Sequence, residues 1–166
     1  EQPQVFVHRD YHSRNLMLLE GGDIGVIDFQ DAVTGPVTYD LVSLLRDAYV
    51  VWPQTDVERW VSEFARMLRA EHRLNGTSDA AFLRWFDWMG AQRHLKVVGI
   101  FARLSIRDGK HGYLDDIPVV FNYLLAEIRP YPEFRALFEL LRSVILPAYL
   151  AKKPDAAAAL GQWVNA

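Results

Sequence analysis

Two short β-prone runs near the start of the chain, Leu16-Met17-Leu18-Leu19 and Ile24-Gly25-Val26-Ile27, are separated by Glu20-Gly21-Gly22-Asp23. Two adjacent glycines make a tight reversal cheap, so this stretch predicts a β-hairpin. A hairpin here returns the chain so that Asp28 emerges close to Asn15. A third apolar run, Val5-Phe6-Val7, delivers the segment His8-Arg9-Asp10-Tyr11-His12-Ser13-Arg14-Asn15. The opening residues thus carry an Asp, an Asn five residues later, and a second Asp thirteen residues beyond that.

This set of oxygen-bearing side chains suits phosphoryl transfer. The reaction needs one carboxylate to receive or orient a hydroxyl proton, and an amide oxygen and a second carboxylate to hold magnesium on the phosphates. The spacing matches the kinase catalytic loop H-R-D-x-x-x-x-N, and Asp28-Phe29 stands where that set places its metal-binding Asp. Oxygen donors without Cys or clustered His suit magnesium rather than zinc. Taken singly the residues say little, because a loop Asp is commonly a turn or cap residue. The ordered set between apolar runs carries the reading.

The stretch VHRDYHSRNLM, followed by GVIDFQDAVTGPVTYDLVSLLRD, resembles the C-terminal lobe of the aminoglycoside phosphotransferase-like kinases across residues 5–47. That superfamily covers antibiotic, choline and small-sugar kinases. The later stretch RHLKVVGIFARLSIRDGKHGYLDDIP, across residues 91–118, resembles the bacterial cell-wall-recycling kinases that phosphorylate N-acetylmuramate and N-acetylglucosamine at the anomeric hydroxyl. The resemblance implies a mostly α fold with a small β-hairpin, the C-lobe of a protein-kinase-like architecture. It implies ATP and Mg2+ as cofactors and a small sugar as acceptor. It makes Asp10 the catalytic base and Asn15 and Asp28 the magnesium ligands. His8 would brace the loop, and Asp40 would anchor the following helix to it. Arg9 and Arg14 stand where the antibiotic kinases often have Gly or Pro, which weighs against that branch. An antibiotic or choline-type kinase is the alternative within the class, and a non-catalytic binding lobe is the alternative outside it.

A kinase of this type also needs a glycine-rich flap over the phosphates and a strand Lys that contacts them. Only Glu1-Gln2-Pro3-Gln4 precedes the first strand, and Lys96 and Lys110 lie far downstream. The expectation is a C-terminal catalytic lobe alone. Residues 1–30 would form the loop and hairpin and residues 37–166 a helical, acceptor-binding body, with the N-terminal nucleotide lobe of the same protein absent. A length of 166 residues suits one domain with a real core. A net charge of −3 makes no case for nucleic acid or a membrane surface as partner. The absence of Cys excludes a disulfide framework and fits the cytoplasm. No run of about 18 apolar residues is present to span a bilayer.

After Asp28 the apolar period becomes helical. A helix is predicted over Tyr39–Val50, broken from what precedes by Gly35-Pro36 and ended by Pro53. Thr55-Asp56-Val57-Glu58 reads as a capping box. The helix it opens carries Val57, Trp60, Val61, Phe64, Ala65 and Leu68 on one face and stops near Asn75-Gly76. Ser78 caps a long helix to about Arg107, and Asp108-Gly109 turns the chain. Helices over Pro118–Ile128, Pro132–Tyr149 (with Pro147 as a kink) and Asp155–Trp163 complete the body. On the long helix, Arg93, Lys96, Arg103 and Arg107 fall within about an 80° arc at about 100° per residue. They form either a solvated basic face or the lining of a pocket for an acidic acceptor. On the second reading Arg14, Arg93, Arg103 and Arg107 are candidate substrate-binding residues.

Overall fold

The computed structural model describes residues 1–74 and 76–164. Its contacts divide into two units, Glu1–Met89 and Gly90–Ala166. In the first, strand β1 (Gln4–Val7) leads into the loop at His8, and β2 (Leu16–Leu18) and β3 (Ile24–Val26) form the expected hairpin. Its turn is closed by Leu19 N–H donating to the Asp23 carbonyl at 2.8 Å, with Gly21 and Gly22 at φ of 100° and 92°. Side chains rarely adopt that left-handed region, so glycine is required there.

A second ribbon went unforeseen. Strand β4 (Val33–Pro36) runs antiparallel to β1, from Val33 opposite Val7 to Pro36 opposite Gln4. Gly35-Pro36 reads locally as a breaker, yet a proline without an N–H is tolerated at the end of an edge strand. The ribbon ties together the two ends of the loop-and-hairpin segment.

Helix α1 spans Tyr39–Leu45, shorter than predicted, because Asp47 turns its carboxylate to the backbone of Ser13 and Tyr49 instead of continuing the helix. Helix α2 spans Gln54–Ala70, and the capping box does not form. The Pro53 carbonyl already accepts from the Asp56 and Val57 amides at 2.9 and 3.1 Å, and Glu58 accepts instead from the Gln54 side chain at 3.0 Å. Thr55 therefore sits inside the first turn. The predicted apolar face of α2 holds: Val57, Val61, Ala65 and Leu68 are buried with Val42, Leu45, Phe82 and Phe86, and Trp60 and Phe64 pack on the margin. The helix ends at Ala70, ahead of the predicted stop, of which Asn75 lies outside the described residues.

Helix α3 (Asp79–Asp108) starts where Ser78 Oγ accepts the Ala81 amide at 3.2 Å. It ends where Lys110 N–H closes on the Leu104 carbonyl at 3.0 Å with Gly109 at φ 66°, a Schellman closure. Its first turns belong to the first unit and the remainder to the second. The second unit adds α4 (Ile117–Ile128), α5 (Arg135–Leu140), α6 (Leu146–Lys152) and α7 (Ala157–Val164). The helix predicted over Pro132–Tyr149 divides into a 3-10 turn, α5, a π-turn at Leu141–Ile145 and α6. The π-turn lies directly before Pro147, which offers no N–H to the Ser143 carbonyl. Val120, Leu124, Leu125, Ile128, Leu146 and Leu160 are fully buried in this unit. So are His94 and Glu127, joined at 2.8 Å. A Cβ at Gly90 would overlap the Glu127 carboxylate and force it to shift from His94. Among the described residues no helix is long and apolar enough to cross a membrane.

In the first unit the C-terminal end of α1 is held by a buried ion pair, Arg46 to Asp87 at 2.8 Å, with the Arg46 guanidinium 4.4 Å from the Phe86 ring centre. Removing one partner of such a pair leaves an uncompensated buried charge. Asp87→Ala should therefore lower stability by about 3–5 kcal/mol, read as the urea unfolding midpoint. A midpoint within about 0.5 kcal/mol of the parent would show that water reaches this pair.

Candidate active site

Asp40 lies in the first turn of α1, and its carboxylate receives two backbone amides of the loop. Oδ2 accepts from His8 N–H at 2.6 Å and Oδ1 from Arg9 N–H at 3.0 Å. Arg9 stands at φ 79°, a conformation that costs a non-glycine residue energy and persists only where its surroundings hold it. His8 is 3% exposed, and its Nε2 lies 2.9 Å from the Ile27 carbonyl. A carbonyl only accepts, so Nε2 carries the proton, and Nδ1 has no hydrogen bond among the described residues.

Asn15 closes the loop. Its side-chain N–H donates to the Asp10 carbonyl at 2.9 Å, and its own carbonyl accepts the Ile27 amide at 3.1 Å. The second contact extends the hairpin ladder by a step and brings Asp28, the next residue, beside Asn15. Asp28 is itself at φ 66°, with Oδ1 accepting from Gln30 at 2.6 Å. Among the described residues the Asp10 carboxylate, the Asn15 Oδ1 and the Asp28 Oδ2 carry no hydrogen bond. Three side chains, two on the pinned loop and one just after the hairpin, thus keep oxygen acceptors unfilled. Hard oxygen donors of this kind fit magnesium.

One residue of this assembly escaped the sequence reading. Asp47 is 3% exposed, and its Oδ2 accepts both the amide and the hydroxyl of Ser13 at 2.9 and 2.5 Å, while Oδ1 accepts the Tyr49 amide at 3.0 Å. Its partner lies 34 residues away in sequence, and no local pattern signals the contact. Ser13 opens the 3-10 turn Ser13–Asn15, so Asp47 fixes the start of the turn that presents Asn15. His12 meets Tyr49 edge-on at 5.6 Å and acts in packing.

Of the cations proposed for substrate, Arg14 belongs to this unit. Its guanidinium lies 3.5 Å from the centre of the Tyr49 ring. Arg93, Arg103 and Arg107 belong to the second unit and do not form a uniform exposed stripe. Arg93 is buried, Arg103 is exposed, and Arg107 is bound to its neighbour Asp108 at 2.6 and 3.0 Å. That bond holds the Asp108 carboxyl below the usual carboxylate range. Helical spacing reports angle alone and does not see the neighbours that bury one end of the row.

Residues 1–86 match the phosphotransferase enzyme family. Over 144 residues the chain is 50% identical to the N-acetylmuramate/N-acetylglucosamine kinases of Neisseria meningitidis and Pseudomonas aeruginosa, covering 87% of this chain and 43% and 42% of those proteins. The protein of the same name from Caulobacter vibrioides is 43% identical over 125 residues, 72% of this chain and 32% of its own. The chain thus spans less than half the length of the curated relatives it matches.

If Asp40 is what holds the loop, its loss should free the two amides first. Each charge-assisted bond is worth about 1.5–3 kcal/mol, so Asp40→Ala should speed hydrogen exchange at the His8 and Arg9 amides roughly ten- to a hundred-fold. Unchanged protection of both amides would show that β1 and the hairpin hold the loop without Asp40.

Proposed function

The chain belongs to the phosphotransferase enzyme family, and from that premise we propose that it carries the acceptor and metal half of an ATP-dependent kinase acting on a hydroxyl of a small amino sugar. The observation that carries this reading is the Asp10 carboxylate, unfilled on a loop whose backbone is pinned at His8, Arg9 and Ser13. Asp10 accepts or orients the proton of the acceptor hydroxyl. The hydroxyl oxygen forms the new bond to the γ-phosphorus as the bond to the β–γ bridging oxygen breaks and ADP leaves. Asn15 and Asp28 would hold Mg2+, which when bound supplies charge neutralisation on the phosphates. His8 and Asp40 keep these groups in register without touching the reactants.

The names of the relatives favour N-acetylmuramate and N-acetylglucosamine as acceptors, and the resemblance across residues 91–118 to cell-wall-recycling kinases implies the anomeric hydroxyl as the group phosphorylated. Arg14 is our first candidate for an acidic acceptor, and Arg93, Arg103 and Arg107 are kept as further candidates. The flap and Lys that cradle ATP are assigned to residues outside this sequence. Exposed apolar side chains on and beside the hairpin, Leu18 at 81%, Ile24 at 62% and Phe29 at 63%, suit a surface that such a lobe or the nucleotide base would cover.

In the full-length protein, Asp10→Asn keeps the shape and removes the proton acceptor. Turnover should fall by roughly 10²-fold or more while sugar binding by calorimetry survives. Near-normal ADP release would remove Asp10 from this role.

Asp28→Ala should raise the magnesium concentration needed for half-maximal turnover steeply, or abolish turnover, because the phosphates lose a ligand to their bridging cation. An unchanged magnesium dependence would make Asp28 a structural residue.

A further inference from the structure

We infer that Arg14 is a pre-positioned receptor for the carboxylate of an acidic acceptor, and that Tyr49, set by Asp47, is the platform that holds it. Arg14 is exposed, and no carboxylate pairs with it among the described residues. Its guanidinium nevertheless has a fixed place over the Tyr49 ring, with Cζ 3.5 Å from the ring centre, a separation that suits stacking. The platform is fixed in turn. Asp47 accepts the Tyr49 amide at 3.0 Å, and the His12 ring meets the Tyr49 ring at 5.6 Å and 72°. The same Asp47 carboxylate holds Ser13, the residue before Arg14. Both ends of the stack therefore hang from one buried acid.

Stacking uses the face of a guanidinium and leaves its N–H groups in the ring plane unspent. Those donors form a planar fork that matches a carboxylate or phosphate by two parallel bonds. Two observations favour a carboxylate of the acceptor over a nucleotide phosphate. Arg14 and Asn15 are successive residues of a 3-10 turn, so their side chains leave about 120° apart. Asn15 reaches the Asp10 carbonyl, and Arg14 reaches the Tyr49 ring instead. Moreover, the relatives are named for two sugars, and N-acetylmuramate differs from N-acetylglucosamine by a lactyl ether that ends in a carboxylate. An arginine fork that is filled by one and left in water by the other would tune the preference between them. This inference rests on the phosphotransfer reading for its substrates, and on the Arg14–Tyr49–Asp47 geometry for its site.

The test is made on the full-length protein with both sugars, by initial rates and by calorimetric binding without ATP. Arg14→Gln should shift the ratio of kcat/KM between the sugars by roughly ten- to a hundred-fold toward N-acetylglucosamine, through KM rather than kcat. The calorimetric affinity for N-acetylmuramate should fall by a similar factor. Tyr49→Leu, which removes the platform and keeps the cation, should shift the ratio in the same direction, and Tyr49→Phe, which keeps the ring face, should restore it. An equal loss on both sugars, or a shift on neither, overturns the role of Arg14. A rise in the KM for ATP alone assigns the fork to a nucleotide phosphate and overturns it too. If the parent protein turns over neither sugar yet binds N-acetylmuramate in an Arg14-dependent way, the phosphotransfer reading fails while the carboxylate site stands.

Discussion

A single carboxylate, that of Asp40, fastens the loop from His8 to Asn15 to the helical body of the first unit. It receives the amides of His8 and Arg9 from the first turn of α1, where the partial positive charge of a helix start also favours an anion. The loop needs this clamp because it contains a left-handed non-glycine residue at Arg9 and leads to another at Asp28. Such conformations cost on the order of 1–3 kcal/mol each and relax if released. With Asp40 in place, His8 is set to reach the Ile27 carbonyl, and the strained Asp28 follows directly from that contact. Two strained residues, one of them a proposed metal ligand, are thus stabilised through a single bond pair.

The parts of this site legible in the sequence were those encoded within a few residues. Gly21-Gly22 announces the hairpin, and the hairpin places Asp28 beside Asn15. The apolar spacing of Val57, Val61, Ala65 and Leu68 announces α2 and its buried face. Ser78 announces the start of α3. What was not legible depends on partners distant in sequence. Strand β4 exists because β1 offers it a ladder, which no local reading of Val33-Thr34-Gly35-Pro36 shows. Helix α1 stops at Leu45 because Asp47 is drawn to Ser13, 34 residues back. The capping box at Thr55 fails because the Pro53 carbonyl takes the amides first. The basic row on α3 was correct in angle, but the burial of Arg93 and the capture of Arg107 by Asp108 depend on what surrounds each turn.

Asp47 and Asp40 make an instructive pair. Both are buried or half-buried acids that serve backbone amides of the loop, and both sit on or just after α1. Asp40 acts at the loop's entry and Asp47 near its exit, so one short helix holds both ends of the segment from His8 to Asn15. Helix α1 is in turn held at its C-terminal end by the Arg46–Asp87 pair and by the packing of Val42 and Leu45. Rigidity therefore passes from the core through α1 into the loop. Function-bearing groups need it because a displacement of about 1 Å at a reacting atom can cost on the order of a hundredfold in rate.

The identity of residue 15 follows from the same accounting. Its side chain satisfies the Asp10 carbonyl, which only accepts, and in the role proposed for it would also present an oxygen to a cation. An amide does both, because one end donates and the other accepts. A carboxylate at this position would offer a second charge to the metal but no N–H to the Asp10 carbonyl, and the loop would lose the bond that closes it. At residue 28 the balance is reversed. The partner there, Gln30, is itself a donor, so a carboxylate can be held by one oxygen and would keep the other, with its negative charge, for the proposed ion. The division of labour between Asn15 and Asp28 is thus set by whether each neighbour gives or takes a proton in its hydrogen bond.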